Sequence, residues 1–238
     1  LEENIPVDFV LKVISLINQA LHTKIIDFSL AGMDGPPPAS FTWLALGSMG
    51  RKEQLLISDQ DNALIYSDVP EEDQEETSQY FLQLANKVTV NLEAVGFALC
   101  PAEMMASNPK WSLSLSSWKE QFRDWITNPD EEKILLGNIF FDFRGIFGNS
   151  ELPDQLEKCI VAYIESHKIF LKRLALNAVK NPPPLSFFRQ FLLEHSGEHK
   201  DQFDIKARAI MPLVDAARVL ILSNRITGIS NTLERFEK

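Results

Sequence analysis

Residues able to bind a phosphorylated ligand together with a cation are concentrated in one short stretch of the sequence. Gly47 and Gly50 flank Ser48, and Asp59 and Asp61 follow about ten residues later. Glycines let the backbone approach a ligand closely, and the free N–H groups at a helix start bind phosphate. Residues two apart in a strand point to the same face, so the two carboxylates are expected to converge. Neighbouring carboxylates repel each other unless a cation lies between them.

This pattern predicts a site for a polyphosphate and a divalent cation, Mg²⁺ or Mn²⁺. Asp59 and Asp61 are the predicted metal ligands and catalytic residues. Arg51 is predicted to contact phosphate and to offset developing charge. Lys52 joins the two glycines, Ser48 and Arg51 in the predicted nucleotide-binding set. Taken singly, an Asp-x-Asp is typical of a solvated turn and a Gly-Ser-x-Gly of an ordinary turn, so the specificity lies in their order.

Local patterns predict the elements that must position these residues. Apolar residues at helical spacing indicate a helix over 7–21, and short apolar runs indicate strands over 41–46 and 62–66. Pro36 to Pro38 belong to a predicted linker. The acidic start of a long helix over 71–95 is explained by the helix dipole alone. A short helix over 49–56 and a third strand over 97–100 complete the predicted core.

The remainder of the chain is predicted to be helical. We therefore expect an α+β protein that is mostly helical, with a small mixed sheet. The predicted domains are an N-terminal helix with linker (1–39), a core (40–110) and a helical domain (111–238). Within the last domain, helices are predicted over 131–147, 151–179, 185–195 and 205–225, with a break at Pro182–Pro184. His195 and His199 are expected to be ordinary surface residues.

Composition narrows the classes of partner. The net charge is −10, which disfavours a nucleic-acid substrate. Two cysteines, Cys100 and Cys159, are too few for a disulfide framework and favour a reducing cytoplasm. No uninterrupted apolar run approaches the ~20 residues of a bilayer span, so no membrane partner is expected.

The stretch from Leu46 to Gln54 and from Ser58 to Leu64 resembles the DNA polymerase β-like nucleotidyltransferase superfamily, whose signature is Gly-Ser followed by Asp-x-Asp. It is similar to the amino-terminal domain of protein-PII uridylyltransferases. It is more similar to bacterial nucleotidyltransferases that accompany CBS and cyclic-nucleotide-binding domains. The stretches 100–111, 140–144, 212–218 and 231–235 extend this resemblance over nearly the whole chain.

The resemblance implies a nucleoside triphosphate (NTP) substrate, a helical substrate-binding domain and a role in signal transduction. It also implies a third carboxylate on a later strand, which 97–100 lacks. Glu103 is the nearest candidate for this metal ligand, against its interpretation as a solvated loop residue. Asp142, expected beside Arg144 on one helix, is the second candidate, against a local surface ion pair. The resemblance alone places Lys206 and Arg218 at the cleft.

Two functional hypotheses follow. The first is transfer of a nucleoside monophosphate from an NTP to a hydroxyl acceptor, including one on a protein. The alternative is a nucleotide-binding regulatory module without catalysis, which the missing strand carboxylate motivates.

Overall fold

The computed structural model describes residues 5–56, 58–180 and 204–238. The predicted helix 185–195, the proline break and both histidines at 195 and 199 lie outside these residues. The chain forms two compact units, each drawn from two stretches of sequence. Unit 1 combines residues 1–123 and 142–160, and unit 2 combines residues 124–141 and 161–238.

Unit 1 is built on a four-stranded mixed sheet of order β3-β2-β1-β4. The strands are β1 (Phe41–Ala45), β2 (Asn62–Tyr66), β3 (Ser112–Ser114) and β4 (Arg144–Gly148). β1 pairs antiparallel with both β2 and β4, while β3 runs parallel to β2. Every residue of β1 and β2 is buried, which explains why both read as continuous apolar runs rather than alternating ones.

Two long helices pack together beside this sheet. They are α1 (Val7–Ala31) and α3 (Gln74–Ala94), the latter preceded by a 3₁₀ turn at Glu71–Asp73. Phe81, Leu84 and Val88 of α3 join Trp43 of β1 and Leu64 of β2 in the core of the unit. The other elements that begin in unit 1 are α2 (Gly47–Gly50), a 3₁₀ turn at Pro109–Trp111, α4 (Leu115–Thr127) and α6 (Glu151–Ser166).

Unit 2 is helical in the part of it that the structure describes. Its helices are α5 (Glu131–Phe140), α7 (Lys168–Ala178), α8 (Met211–Ser223) and α9 (Thr232–Phe236). α7 packs against both α5 and α8, and α9 packs against α8. A π-helical turn at Lys206–Ile210 leads into α8.

The fold class is confirmed: the protein is α+β and mostly helical, with a small mixed sheet. Four local predictions are wrong. The helix predicted over 151–179 is interrupted at His167, so that α6 ends at Ser166 and α7 begins at Lys168. The helix predicted over 131–147 ends at Phe140, and β4 follows it. The strand predicted over 97–100 is reduced to one parallel bridge between Asp59 and Ala98. The short helix predicted over 49–56 is instead the single turn α2, Gly47–Gly50.

α1 is longer than predicted and has the length and composition of a membrane span, although polar and charged residues interrupt its apolar ones. Its 25 residues have a mean hydropathy of 1.3 over the most apolar window, enough in length and composition to cross a bilayer. It is the one such helix among the described residues. Length and composition alone are weak evidence, because core helices of soluble proteins meet the same criteria.

Candidate functional site

The glycine turn after β1 lies directly against the second aspartate. Gly47 has a φ of +52°, a left-handed conformation that L side chains rarely adopt. The Leu46 N–H donates to the Asp61 carbonyl at 3.0 Å, which fixes the turn to the segment that carries the acids. A Cβ built on Gly47 would lie 3.4 Å from Asp61 Oδ2. The Asp61 carboxylate therefore faces the glycine turn.

The segment 59–62 alternates between solvent and interior. Asp59 is exposed and Asp61 is partly exposed, whereas Gln60 and Asn62 are buried. This is the two-residue period of extended backbone. The two acids therefore leave the backbone on the side opposite the two amides, as the sequence predicts.

The buried amides anchor this segment from the inside. Gln60 Nε2 donates to the carbonyl oxygens of Thr89 (3.1 Å) and Phe97 (3.0 Å). Asn62 Oδ1 accepts from the Ala106 N–H at 2.8 Å. Because these bonds are buried, a rotation that turned the acids inward would leave several polar groups without partners, each at a cost of ~1–3 kcal/mol.

Cys100 lies next to Asp61, a contact that no local pattern in the sequence predicts. The parallel bridge pairs Asp59 with Ala98, so two residues further on Cys100 comes beside Asp61 on the same face. Burial raises the pKa of the Cys100 thiol, and the charge of Asp61 and a hydrogen bond with its carboxylate act in the same direction. The protonated thiol can donate to Asp61. Only the parallel pairing of 59 with 98 could have revealed this neighbour.

Arg51 is held by two carboxylates of its own chain. Its Nη1 donates to Asp142 Oδ2 and its Nε to Glu53 Oε2, both at 2.8 Å. Asp142 is completely buried and the Arg51 side chain is nearly so. The guanidinium thus connects the end of α2 to the turn before β4, and its contact with phosphate stays a prediction.

Asp142 and Arg144 do not share a helix, which corrects that expectation. Asp142 lies in the turn after α5, and Arg144 is the first residue of β4. Arg144 donates to the carbonyls of Gly50 (3.2 Å) and Met49 (3.3 Å) at the end of α2, and to Gln19 Oε1 at 2.9 Å. A cation is favourable at a helix C-terminus, although burial lowers the pKa of this guanidinium.

Gly50 is required by packing rather than by ligand approach. A Cβ at this position would lie 1.8 Å from the Asp142 carbonyl oxygen and 2.9 Å from that of Ala45. Lys52, by contrast, is exposed just beyond α2, with a φ of +60°. Ser48 is partly exposed at the start of the turn. The predicted phosphate-binding residues therefore divide into an accessible set (Gly47, Ser48, Lys52) and a buried set (Gly50, Arg51).

The backbone carbonyl of Glu103, rather than its side chain, forms the hydrogen bonds of this residue with its neighbours. Glu103 has a φ of +54°, and its carbonyl accepts from Trp111 Nε1 at 3.0 Å and from Asn108 Nδ2 at 3.3 Å. Its side chain is exposed. Among the residues that the structure describes, no group of three His, Cys, Asp or Glu side chains is arranged to hold a metal ion. The structure therefore does not bring Glu103 together with Asp59 and Asp61 as a three-carboxylate cluster.

The two predicted cleft residues of unit 2 have different environments. Arg218 is buried, and its Nη1 donates to Asp215 Oδ1 at 2.6 Å and to Asn138 Oδ1 at 3.1 Å. It thus links α8 to α5 inside the unit. Lys206 is exposed on the π-helical turn. Their role in substrate binding stays a prediction.

Comparison with protein families gives two matches along the chain. Residues 1–132 match the family described as "Putative nucleotidyltransferase DUF294". Residues 168–238 match a family described as "Putative nucleotidyltransferase substrate binding domain". No curated protein matches the chain.

Proposed function

Because the chain belongs to the putative nucleotidyltransferase family DUF294, we propose that it transfers a nucleoside monophosphate from an NTP to a hydroxyl acceptor at the Gly47 turn. In this reaction a bond forms between the acceptor oxygen and the α-phosphorus, and the bond to the β-phosphate breaks. Pyrophosphate leaves, and the hydroxyl proton passes to solvent. The acceptor-binding role falls to the C-terminal region, which matches the substrate-binding family.

The main support for this proposal is that the Asp61 carboxylate faces the left-handed turn at Gly47, where a Cβ would lie 3.4 Å from its Oδ2. Buried amides anchor the segment that carries this carboxylate. The turn can accept a phosphate closely because Gly47 has no side chain. The first N–H groups at the start of a helix have no partners within the helix and can bind phosphate. The hydroxyl of Ser48, partly exposed at the same place, adds a further donor.

The two aspartates fit Mg²⁺ or Mn²⁺ that arrives with the nucleotide. Mg²⁺ is commonly held by one or two carboxylates together with substrate phosphates and water, rather than by a cage of protein ligands. When bound, such a cation neutralises phosphate charge and polarises the reacting phosphorus. Asp59 and Asp61 would hold it.

The finer features of the proposal rest on the resemblance rather than on the geometry. The likeness to protein-PII uridylyltransferases favours a protein hydroxyl, such as that of a tyrosine, as the acceptor. Association with CBS or cyclic-nucleotide-binding domains would place the activity in signal transduction. The low cysteine content favours the cytoplasm.

A second candidate is a regulatory module that binds a nucleotide but does not catalyse its transfer. The observation that favours it is Cys100, which places a thiol rather than a carboxylate beside Asp61. Such a site would bind metal and nucleotide, but the metal would be held by one negative charge fewer than in a site with three carboxylates.

Pyrophosphate release separates the two candidates. The chain would be incubated with ATP, UTP, GTP and CTP, each with Mg²⁺ or Mn²⁺, with candidate protein acceptors. We expect pyrophosphate with one NTP, and a loss of about 10²-fold or more in Asp61→Asn. Asp34→Asn, which alters an exposed loop carboxylate, is the matched control and should retain the wild-type rate. Saturable nucleotide binding without pyrophosphate would favour the regulatory module, and no binding would contradict both.

A further inference from the structure

The first helix has an inverted distribution of polar and apolar residues. Four of its five buried residues are polar: Ser15, Asn18, His22 and Ser29. Surface helices of soluble proteins normally bury their apolar stripe and expose the polar one. In α1 seven large apolar side chains are instead exposed, although Ile26 is buried and Ile25 and Leu30 pack against the core.

Specific bonds fix the inner face of α1 to unit 1. Asn18 Nδ2 donates to Gln54 Oε1 at 2.8 Å, and Asn91 Nδ2 of α3 donates to Ser29 Oγ at 3.0 Å. A rotation of the helix that buried its apolar face would break these bonds and leave buried polar groups without partners. The orientation of α1 is therefore set by its polar side, and the opposite face must remain outward.

The outer face is apolar over most of its length. From position 9 to position 21, the exposed residues are apolar except for Lys12. The large apolar side chains of this face are between 38% and 71% exposed: Phe9, Val13, Leu16, Ile17, Leu21 and Phe28. Spacings of three and four residues keep them on one side of the helix.

We propose that this face of α1 is the surface through which two copies of the chain associate. A large apolar side chain presents on the order of 150–200 Å² when fully exposed, so these six contribute roughly 500–600 Å². Complete coverage of these side chains in two copies would bury at most roughly 1,000–1,200 Å², which is at the ~1,000 Å² threshold of a specific interface. A two-fold dimer uses the same patch on both partners, as a single apolar helix face allows.

The charges of α1 favour a protein partner over a lipid surface. Helices that lie on membranes carry lysines and arginines on an outward polar face, which anionic lipids attract. The polar face of α1 is instead packed inside unit 1. Its exposed charges are two of each sign, Asp8, Lys12, Lys24 and Asp27, on a chain of net charge −10. Such a helix gains nothing from an anionic surface.

Light scattering over a concentration series tests the proposal. Between about 1 and 100 µM, the range suited to an interface at the small end, the mass should rise from 27.0 kDa towards twice that value. Leu16→Glu should keep the chain monomeric throughout, with an unchanged circular dichroism spectrum. Val90→Glu is the matched control, because Val90 is similarly exposed on α3; it should dimerise like the wild type.

Cross-linking gives a second measurement that does not depend on a disruptive variant. Ala20 lies on the exposed side of α1, between Ile17 and Leu21 of the apolar face. Ala20→Cys should form a disulfide-linked dimer under mild oxidation, whereas Ala94→Cys, exposed at the end of α3, should not. A monomer at every concentration with no Ala20→Cys cross-link would overturn the proposal. So would monomeric protein that floats with phosphatidylcholine vesicles, since that result assigns the face to a membrane.

Discussion

Some residues at this site are positioned by the local backbone, and others by contacts with residues far away in the sequence. The outward placement of Asp59 and Asp61 follows from a two-residue period, so it could be predicted from the sequence. The position of Cys100 beside Asp61 could not be predicted in this way. Cys100 reaches it only because the backbone at 98 pairs with the backbone at 59, and no local pattern encodes that pairing.

Arg51 is a second residue whose environment is non-local. Beside two glycines it has the residue type that phosphate binding needs. Its guanidinium is nevertheless paired with Asp142, 91 positions away. A sequence shows an arginine's charge but not the carboxylate that a later segment brings to it.

The thiol of Cys100 is expected to position the Asp61 carboxylate. Cys100→Ala removes the donor, and hydrogen bonds to charged groups are worth ~1.5–3 kcal/mol, so the apparent affinity for Mn²⁺ with nucleotide should fall roughly 10- to 100-fold. Cys100→Ser keeps a donor and should stay within about threefold of wild type. Equal affinities in the alanine variant and the wild type would show that the thiol has no positioning role, whereas equal losses in both variants would indicate a packing effect.

At the scale of elements, β4 was mispredicted as helix because its apolar residues continue the run that ends α5. A short apolar run fits a buried strand and a buried helix equally well. Residues 144–148 form a strand because they pair antiparallel with the edge of β1 that β2 leaves open. β3 was missed for a simpler reason: three residues are too few to show any periodicity.

The bond between Asp142 and Arg51 is expected to fasten β4 to α2. Asp142→Asn removes the charge of a buried pair and should lower the free energy of unfolding by about 3 kcal/mol. Urea denaturation measures this directly. The control is Glu131→Gln, which breaks a pair with Lys180 at the surface and should leave the midpoint unchanged. Equal midpoints for Asp142→Asn and wild type would contradict the assigned role.

At the scale of the whole molecule, composition and patterning predicted the fold class correctly. They did not predict that unit 1 is assembled from two separate stretches. The cause is again non-local, since β4 returns to the sheet about one hundred residues after β1.

The discontinuity predicts how truncated chains behave. A fragment of residues 1–132, the span of the first family match, lacks β4 and Asp142. It leaves β1 as an unpaired edge and Arg51 without its buried partner, so we expect aggregation or a broad, non-cooperative thermal transition. A fragment of residues 1–166 retains β4 and α6 and should unfold cooperatively. Cooperative unfolding of the shorter fragment would show that β4 is dispensable.

His22 links the stability of the folded chain to pH. It is buried in α1, and its ring lies edge-on to Phe97 with ring centroids 4.6 Å apart. Burial lowers its pKa from 6.5 to about 4. Between these values the unfolded chain takes up a proton that the folded chain does not. The contribution of neutral His22 to the free energy of unfolding is therefore fully present above about pH 6.5. It is lost as the pH falls towards 4.

The free energy of unfolding is expected to fall by about 2 kcal/mol between pH 6.5 and pH 5. Urea denaturation at several pH values should show it in the wild type, and His22→Gln should flatten the dependence over this interval. His167→Gln, at an exposed histidine, should retain the wild-type slope. A slope that survives in His22→Gln would assign the proton uptake to another group.

The proposed function requires that Asp59, Asp61 and the Gly47 turn together hold a cation-bound triphosphate. Calorimetric titration with the Mn²⁺–tripolyphosphate complex tests it without knowledge of the base. We expect saturable binding, weakened roughly 10- to 100-fold in Asp59→Asn and Asp61→Asn, because each loses a carboxylate–cation contact worth ~1–4 kcal/mol. Asp34→Asn should bind like the wild type. Equal affinity in the wild type and all three variants would contradict the account.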